Sequence, residues 1–148
     1  MWPEVEEQVT VERAQLDQLF VAYQTTINKS RKDEPNFIEI SALATMLHSF
    51  YTGIENIFKR IALEIDGNIP SGISSHSDLL VQMSRPMGNR PAVISETIQV
   101  RLSAYLSFRH VFRHAYSFHL EWAKMRDLVI QSQATWQQLQ TELDQFFS

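Results

Sequence analysis

The sequence predicts an all-α protein, an up-and-down bundle of four to five helices that forms one domain from residue 1 to residue 148. Three observations favour this fold class. Apolar residues recur every three or four positions over long segments, no segment shows the alternation of a β-strand, and most glycines and prolines fall in one connecting region. A chain of 148 residues can bury its own core without disulfides or a structural metal.

Two long helices are predicted in the first half of the chain. The first runs from about Val9 to Ser30 and ends at the segment SRKDEPNF, since Pro35 lacks an amide proton and disfavours helical geometry in the residue before it. The second, from about Pro35 to Ile65, has the most regular apolar spacing. Gly53 lies inside the second helix, where glycine is unfavourable, and therefore indicates a close approach by a neighbouring helix.

The second half of the chain starts with the connecting region DGNIPSGISSHSDLLVQMSRPMGNRP. Within it, SSHSDLLVQM predicts two or three helical turns capped by Ser74 or Ser75, so we expect a folded connection. A third long helix is predicted from Ala92 onward, and a last one from about Ser117 to Phe147.

Composition excludes several classes of function. The chain has no cysteine, so disulfides, thiolate metal sites and a cysteine nucleophile are excluded, and a reducing cytoplasm suits it. Its acidic start does not resemble a signal peptide, and no apolar run has the length of a membrane span. We expect a cytoplasmic protein without a membrane partner.

Charge is unevenly distributed along the chain. The formal net charge of −4 argues against an indiscriminate nucleic-acid binder. Between Leu79 and His119, however, five arginines stand against one acid, Glu96. The arginines of this basic region are Arg85, Arg90, Arg101, Arg109 and Arg113. The sequence thus predicts a local cationic surface in an otherwise acidic protein.

The segment FRHVFRHAYSFH places cations and imidazoles on a predicted helix. Residues four apart share a helix face, so Arg109 is predicted over Arg113 and His110 over His114. Tyr116 falls about 20° from the direction of Arg109 and is placed on the arginine face.

Arg109 and His114 are about 140° apart on an ideal helix, so one straight helix would not direct both side chains at the same phosphate. Two arrangements would bring them together. Either the helix bends or ends between Arg109 and Tyr116, or two copies of the chain face each other across a two-fold axis and pool their residues.

This set of side chains suits RNA cleavage without a metal. A base takes the proton of the ribose 2′-OH, the oxygen attacks the neighbouring phosphorus, histidine transfers the protons, and arginine stabilises the charge on the phosphate oxygens. The alternative interpretation is a solvated stripe or a network of hydrogen bonds between helices. A metal site at His110 and His114 is not expected, because no carboxylate accompanies them as in the His-Glu-x-x-His pattern and Glu121 is the nearest acid.

Other polar residues are interpreted as structural. His48 is interpreted as a core or edge histidine, and His76 as a residue of a helix start or loop. Glu55 and Lys59 are predicted to form a surface ion pair, because they are four residues apart on a helix. Trp136 is predicted to contribute to packing.

The segment RHVFRHAY, from Arg109 to Tyr116, contains Arg, four residues, His, one residue and Tyr. It resembles the motif of the HepT-like toxins of the HEPN superfamily, in which a polar residue often follows the Arg, a place that His110 fills. The segments LHSFYTGIENIFKRIA and RPAVISETIQVRLSAYLSFRHVFRHAY are also similar to helices of this family, so the resemblance covers nearly the whole chain.

The resemblance implies a small helical bundle that forms a homodimer, so that two motifs line one cleft. It implies a metal-independent endoribonuclease that needs no cofactor and leaves a 2′,3′-cyclic phosphate on its RNA, with transfer RNA as a candidate substrate. Arg109 and His114 would be catalytic. An antitoxin of the MNT nucleotidyltransferase type would transfer AMP to Tyr116, bringing negative phosphate and a bulky base into a cationic cleft.

Three alternatives stay open beside this interpretation. Arg113 followed by His119 also satisfies the broader superfamily pattern, but only the pair Arg109 and His114 has the tyrosine at the right offset. His110, Arg113 and His119 are therefore interpreted as residues that contact or orient RNA. The chain could instead be a non-catalytic module that binds nucleotides or a nucleotidyltransferase partner, or a purely structural helical adaptor.

Overall fold

The computed structural model describes residues 1–116 and 119–148 of the chain. In this part five α-helices follow one another, and their bounds are α1 Pro3–Lys32, α2 Phe37–Ile61, α3 Ser75–Met83, α4 Glu96–His114 and α5 Trp122–Phe147. A π-helical turn, Ala62–Asp66, extends α2. The described residues contain no β-strand, which confirms the prediction of an all-α bundle. None of the described helices has the length and apolar character that crossing a membrane requires.

Helix α2 is the centre of the bundle and packs against each of the other four helices. The ring of Phe50 shows this arrangement, since it makes edge contacts with Phe20 of α1, Tyr105 of α4 and Trp136 of α5. Such edge-to-face pairs add to the stability gained from burying aromatic surface. Trp136 is buried and donates a hydrogen bond from Nε1 to Asp17, so its predicted packing role is confirmed.

Helix α1 begins at Pro3, well before the predicted start at Val9. Proline is tolerated in the first helical turn, where its missing amide proton would have no partner. The indole of Trp2 stacks on Phe146 near the end of α5, with ring centroids 5.3 Å apart. This long-range contact, together with burial of Val5, stabilises the extra turns.

Gly53 lies where α2 approaches α1. A Cβ added at this position would lie 2.5 Å from Cδ2 of Leu16, closer than atoms of this kind can pack. The predicted close approach at Gly53 is therefore confirmed, and the neighbouring group is a buried leucine side chain.

The connection between α2 and α4 is ordered, as predicted, and α3 begins directly after Ser74. The predicted serine cap is wrong, because the Ser74 hydroxyl donates to Asp78 and accepts no backbone amide. Arg90 organises the loop that follows α3. Its guanidinium donates to both Asp66 carboxylate oxygens and to the carbonyls of Arg85, Pro91 and Gln82. Arg90 is therefore a buried structural residue, and the predicted cationic surface does not include it.

Helix α4 begins at Glu96 rather than at Ala92, because Ser95 caps it by accepting a hydrogen bond from the amide of Ile98. It ends at His114, and Ala115 is extended. After Phe108 no side chain of α4 is fully buried, so packing gives little support to further turns.

Tyr116 lies beyond the end of α4, so its predicted placement on the arginine face of the helix is wrong. A helix that ends between Arg109 and Tyr116 is one of the two arrangements that the sequence left open. The last helix was predicted from about Ser117, which lies outside the described residues. The structure begins α5 at Trp122, after Glu121, so this prediction was too early.

Candidate functional site

A cavity of about 520 Å³ lies between α3 and α4. Its wall contains two arginines and three histidines: His76, Arg109, His110, Arg113 and His114. Four of these belong to the segment that the sequence singled out, and His76 comes from the first turn of α3. The structure thus brings Arg109 and His114 to one cavity of a single chain.

Arg109 is held against the protein by a buried carboxylate. Its Nη1 lies 3.7 Å from Oε1 of Glu55, and the two side chains are only 12% and 3% exposed. The two groups form an ion pair, but their distance is too long for a hydrogen bond. Glu55 therefore orients the guanidinium without occupying the N–H donors of Arg109. Nε of Arg109 is buried and has no hydrogen-bond partner among the described residues. The Nη groups of Arg109 also make no hydrogen bond within the described residues, and because Arg109 lines the cavity they can donate to the oxygens of a ligand.

Glu55 is the centre of the charge network below the cavity. Besides Arg109, it contacts Nζ of Lys59 at 3.4 Å and Nδ1 of His76 at 2.7 Å. The predicted pair of Glu55 and Lys59 exists, but its description as a surface pair is wrong because the carboxylate is buried. A buried carboxylate is stable only with such partners, since burial of an unpaired charge is costly.

The two other histidines of the wall lie on successive turns of α4. The rings of His110 and His114 have centroids 4.6 Å apart, as the predicted four-residue stacking requires. Both side chains and that of Arg113 are exposed, whereas Arg109 points inward. The helix thus presents one fixed cation at depth and a set of accessible cations and imidazoles at the rim.

Tyr116 and His119 lie outside the wall of this cavity. Tyr116 is 72% exposed and its ring centroid lies 6.0 Å from that of His119. His119 lines a second cavity, of about 530 Å³, with Phe108 and Val111. Tyr116 is therefore open to solvent just past the end of α4, close in sequence to the cationic wall.

His48 of α2 lies near the same cations. Its ring packs on Phe112 with centroids 5.2 Å apart, and its Nδ1 is buried without a hydrogen-bond partner in the described residues. Burial, followed by the positive charges of Arg109 and Arg113, lowers the pKa of His48. The interpretation of His48 as a packed histidine fits this environment, which favours the neutral ring.

Sequence reasoning missed the roles of Glu55 and His76 in this site. His76 is indeed at a helix start, but it also lines the cavity and contacts the buried Glu55. One signal was present: Glu55 follows Ile54 and lies four residues after Tyr51, within the apolar surface of a central helix, where an acid needs a cationic partner. The described residues contain no group of three or more His, Asp or Glu side chains arranged to hold a metal ion.

An all-α bundle with arginines and imidazoles in one cavity, and an exposed tyrosine that follows the same helix in sequence, defines a class of site suited to binding phosphate esters. A family model described as HepT-like protein matches residues 42–148, which is more than half of the chain. The chain therefore belongs to the HepT-like proteins of the HEPN superfamily, a family associated with ribonuclease toxins. Neither a curated protein nor a solved structure matches it.

Proposed function

We propose that this protein is a metal-independent endoribonuclease toxin that cleaves RNA at the cavity between α3 and α4. One observation carries the proposal: two arginines and three histidines converge on one cavity, and the deepest of them, Arg109, is fixed by the buried Glu55. Membership of the HepT-like family supports a toxin of this kind.

The chemistry divides between charge stabilisation and proton transfer. Arg109 binds the oxygens of the scissile phosphate and stabilises the additional charge of the pentacoordinate transition state, because its donors are free and its charge is permanent. His114 exchanges a proton with the reacting RNA, since an imidazole gains and loses protons near neutral pH. The 2′ oxygen forms its bond to phosphorus, the bond to the 5′ oxygen breaks, and a 2′,3′-cyclic phosphate remains. His110, Arg113 and His119 contact or orient the strand.

Two copies of the chain are proposed to complete the site across a two-fold axis. The exposed face of α4 supports this arrangement, because Val100, Ala104 and Val111 leave apolar surface uncovered beside the cavity. Homodimer interfaces are richer in apolar groups than other surfaces. The pairing would place two sets of Arg109 and His114 in one cleft.

Mixing two inactive variants tests whether two chains contribute side chains to one site. Arg109→Ala and His114→Ala proteins are purified separately, then combined, unfolded and refolded together. If the cleft is shared, a mixed dimer retains one copy of each side chain and cleavage reappears. If each chain acts alone, the mixture stays as inactive as its components and the shared site is wrong.

Control of the toxin is proposed to act at Tyr116, through AMP transferred by an MNT-type nucleotidyltransferase antitoxin. The 72% exposure of Tyr116 supports access by a second enzyme. Mass spectrometry after co-expression with such an antitoxin is expected to find added AMP on Tyr116 and none on a Tyr116→Phe variant. Modification at another residue would contradict this proposal.

Expression of the chain alone tests the toxin against the non-catalytic module. We expect growth arrest with the parent and normal growth with Arg109→Ala or His114→Ala at equal protein levels. Normal growth with all three proteins would contradict the proposed toxin activity. It would favour a module that binds a nucleotide phosphate through the same cations without cutting RNA.

A further inference from the structure

His76 occupies a defined position in the wall that the proposed catalytic residues do not explain. It lies in the first turn of α3, and its Nδ1 is 2.7 Å from Oε2 of Glu55. The carboxylate is 3% exposed, whereas the His76 side chain is 41% exposed. The ring is therefore anchored on one side and open to the cavity on the other.

The hydrogen bond to Glu55 selects the tautomer of the His76 ring. A carboxylate only accepts hydrogen bonds, so the proton of the neutral imidazole is on Nδ1 and the lone pair is on Nε2. No hydrogen bond to Nε2 is found among residues 1–116 and 119–148. The ring thus presents an unoccupied proton acceptor of fixed orientation, the arrangement that carboxylates impose on catalytic histidines.

The same carboxylate positions the phosphate-binding cation. Oε2 of Glu55 holds His76, and Oε1 faces Arg109. Because the two oxygens belong to one rigid group, the imidazole and the guanidinium are set beside each other at one wall. A ribose whose 3′ phosphate binds Arg109 can therefore place its 2′-OH next to His76, in the same wall.

We propose that His76 is the general base of the RNA cleavage, with Glu55 as its positioning residue; this rests on the proposed function. Nε2 of His76 takes the proton from the 2′-OH, and the 2′ oxygen forms a bond to phosphorus as the bond from phosphorus to the 5′ oxygen breaks. His114, in its protonated form, gives its proton to that leaving oxygen. The products are a 2′,3′-cyclic phosphate and a free 5′-OH.

The variant His76→Asn separates this role from a structural one. The asparagine amide lies close to the position of Nδ1, so it still donates to Glu55, but it has no counterpart of Nε2. We expect its cleavage rate to fall by about 100-fold or more, the usual contribution of a general base, with the melting temperature of the parent. His76→Gln, expected to be equally slow, is the second variant should His76→Asn fold poorly. Ser71→Ala, at an exposed position before α3 that is outside the cavity wall, is the control and keeps the parent rate.

A substrate with sulfur in place of the 5′ leaving oxygen tests which histidine is the general base and which is the general acid. Sulfur leaves without being protonated, so it makes a general acid unnecessary while the general base is still required. We expect His114→Ala to regain activity on this substrate and His76→Asn to remain slow.

The outcomes distinguish this inference from the proposed function. A parent protein that leaves both substrates intact overturns both. An active parent together with a His76→Asn variant of equal rate overturns the role of His76 alone. Recovery of His76→Asn on the sulfur substrate, or failure of His114→Ala to recover on it, overturns the division of roles.

Discussion

Nη1 of Arg109 on α4 and Oε1 of Glu55 on α2 lie 3.7 Å apart beneath the cavity, and both side chains are nearly inaccessible to solvent. This pair connects the most buried helix of the bundle to the site. One buried carboxylate therefore joins the central helix to two residues of the cavity wall, Arg109 and His76.

Removing the charge of Glu55 should destabilise the protein. In Glu55→Gln, the charges of Arg109 and Lys59 lose their common anion, while an amide can still accept from His76. We expect a loss of about 1–3 kcal/mol in the free energy of unfolding, measured by denaturant titration. Glu64→Gln, an exposed acid of the adjoining π-helical turn, is the control and should change it by less than about 0.5 kcal/mol. Equal effects of the two variants would contradict the structural role of Glu55.

Substitution of the exposed Arg113 should weaken RNA binding, whereas substitution of the buried Arg90 should lower stability. Arg113 is exposed on the cavity wall, so Arg113→Gln should weaken RNA binding and reduce the salt dependence of affinity by about one phosphate contact. Binding is measured in a His114→Ala background to prevent cleavage. Arg90→Gln should instead cost about 3–5 kcal/mol of stability, because it leaves Asp66 buried without its partner. An Arg113→Gln protein with the parent salt dependence would exclude Arg113 from the RNA interface.

The close contact of Gly53 with Leu16 should show as coupling between the two positions. Gly53→Ala forces the leucine side chain to move, at about 1–3 kcal/mol, and recovers about 1 kcal/mol of helix propensity. In a Leu16→Ala background the obstacle is gone, so the same substitution should be neutral or stabilising. Chemical unfolding of the four proteins measures this. Equal effects of Gly53→Ala in both backgrounds would mean that the helices are not in contact there.

His48 should make stability depend on pH. Its pKa is lowered in the folded protein from the ordinary value of 6.5, so the unfolded chain takes up the proton at higher pH. The free energy of unfolding is therefore highest above about pH 6.5 and falls as the pH drops toward the lowered pKa of the folded state. His48→Gln should show a smaller decline than the parent between pH 7 and pH 5, measured by denaturant titration. Parallel curves for the two proteins would contradict this effect.

The sequence predicted those parts of the fold that depend on local pattern. Regular apolar spacing was sufficient to predict α2. Its buried residues face neighbouring helices on several sides, so they recur along the whole helix. The start of α1 was missed because Trp2 packs on Phe146, a contact between the two ends of the chain that no local rule contains. The end of α4 at His114 agrees with one of the two arrangements that the sequence left open, but the sequence did not choose between them, because the choice depends on where burial stops along the helix.

The sequence singled out the part of the candidate site that lies within one short motif. Arg109 and His114 are close in sequence, so spacing and family resemblance drew attention to them, and the structure places both in one cavity; their catalytic role stays a prediction. The contact between Glu55 and His76 joins α2 to α3 across 21 residues. It depends on how the connecting region folds back over α2, which composition and periodicity do not specify.

The most direct test of the account is the chemistry of the RNA ends made by purified protein in the presence of a chelator. The parent is predicted to produce RNA fragments ending in a 2′,3′-cyclic phosphate, identified by mass spectrometry, while Arg109→Ala and His114→Ala proteins, each shown to be folded by circular dichroism, produce none. Intact RNA with the parent, or the same fragments from all three proteins, would contradict it.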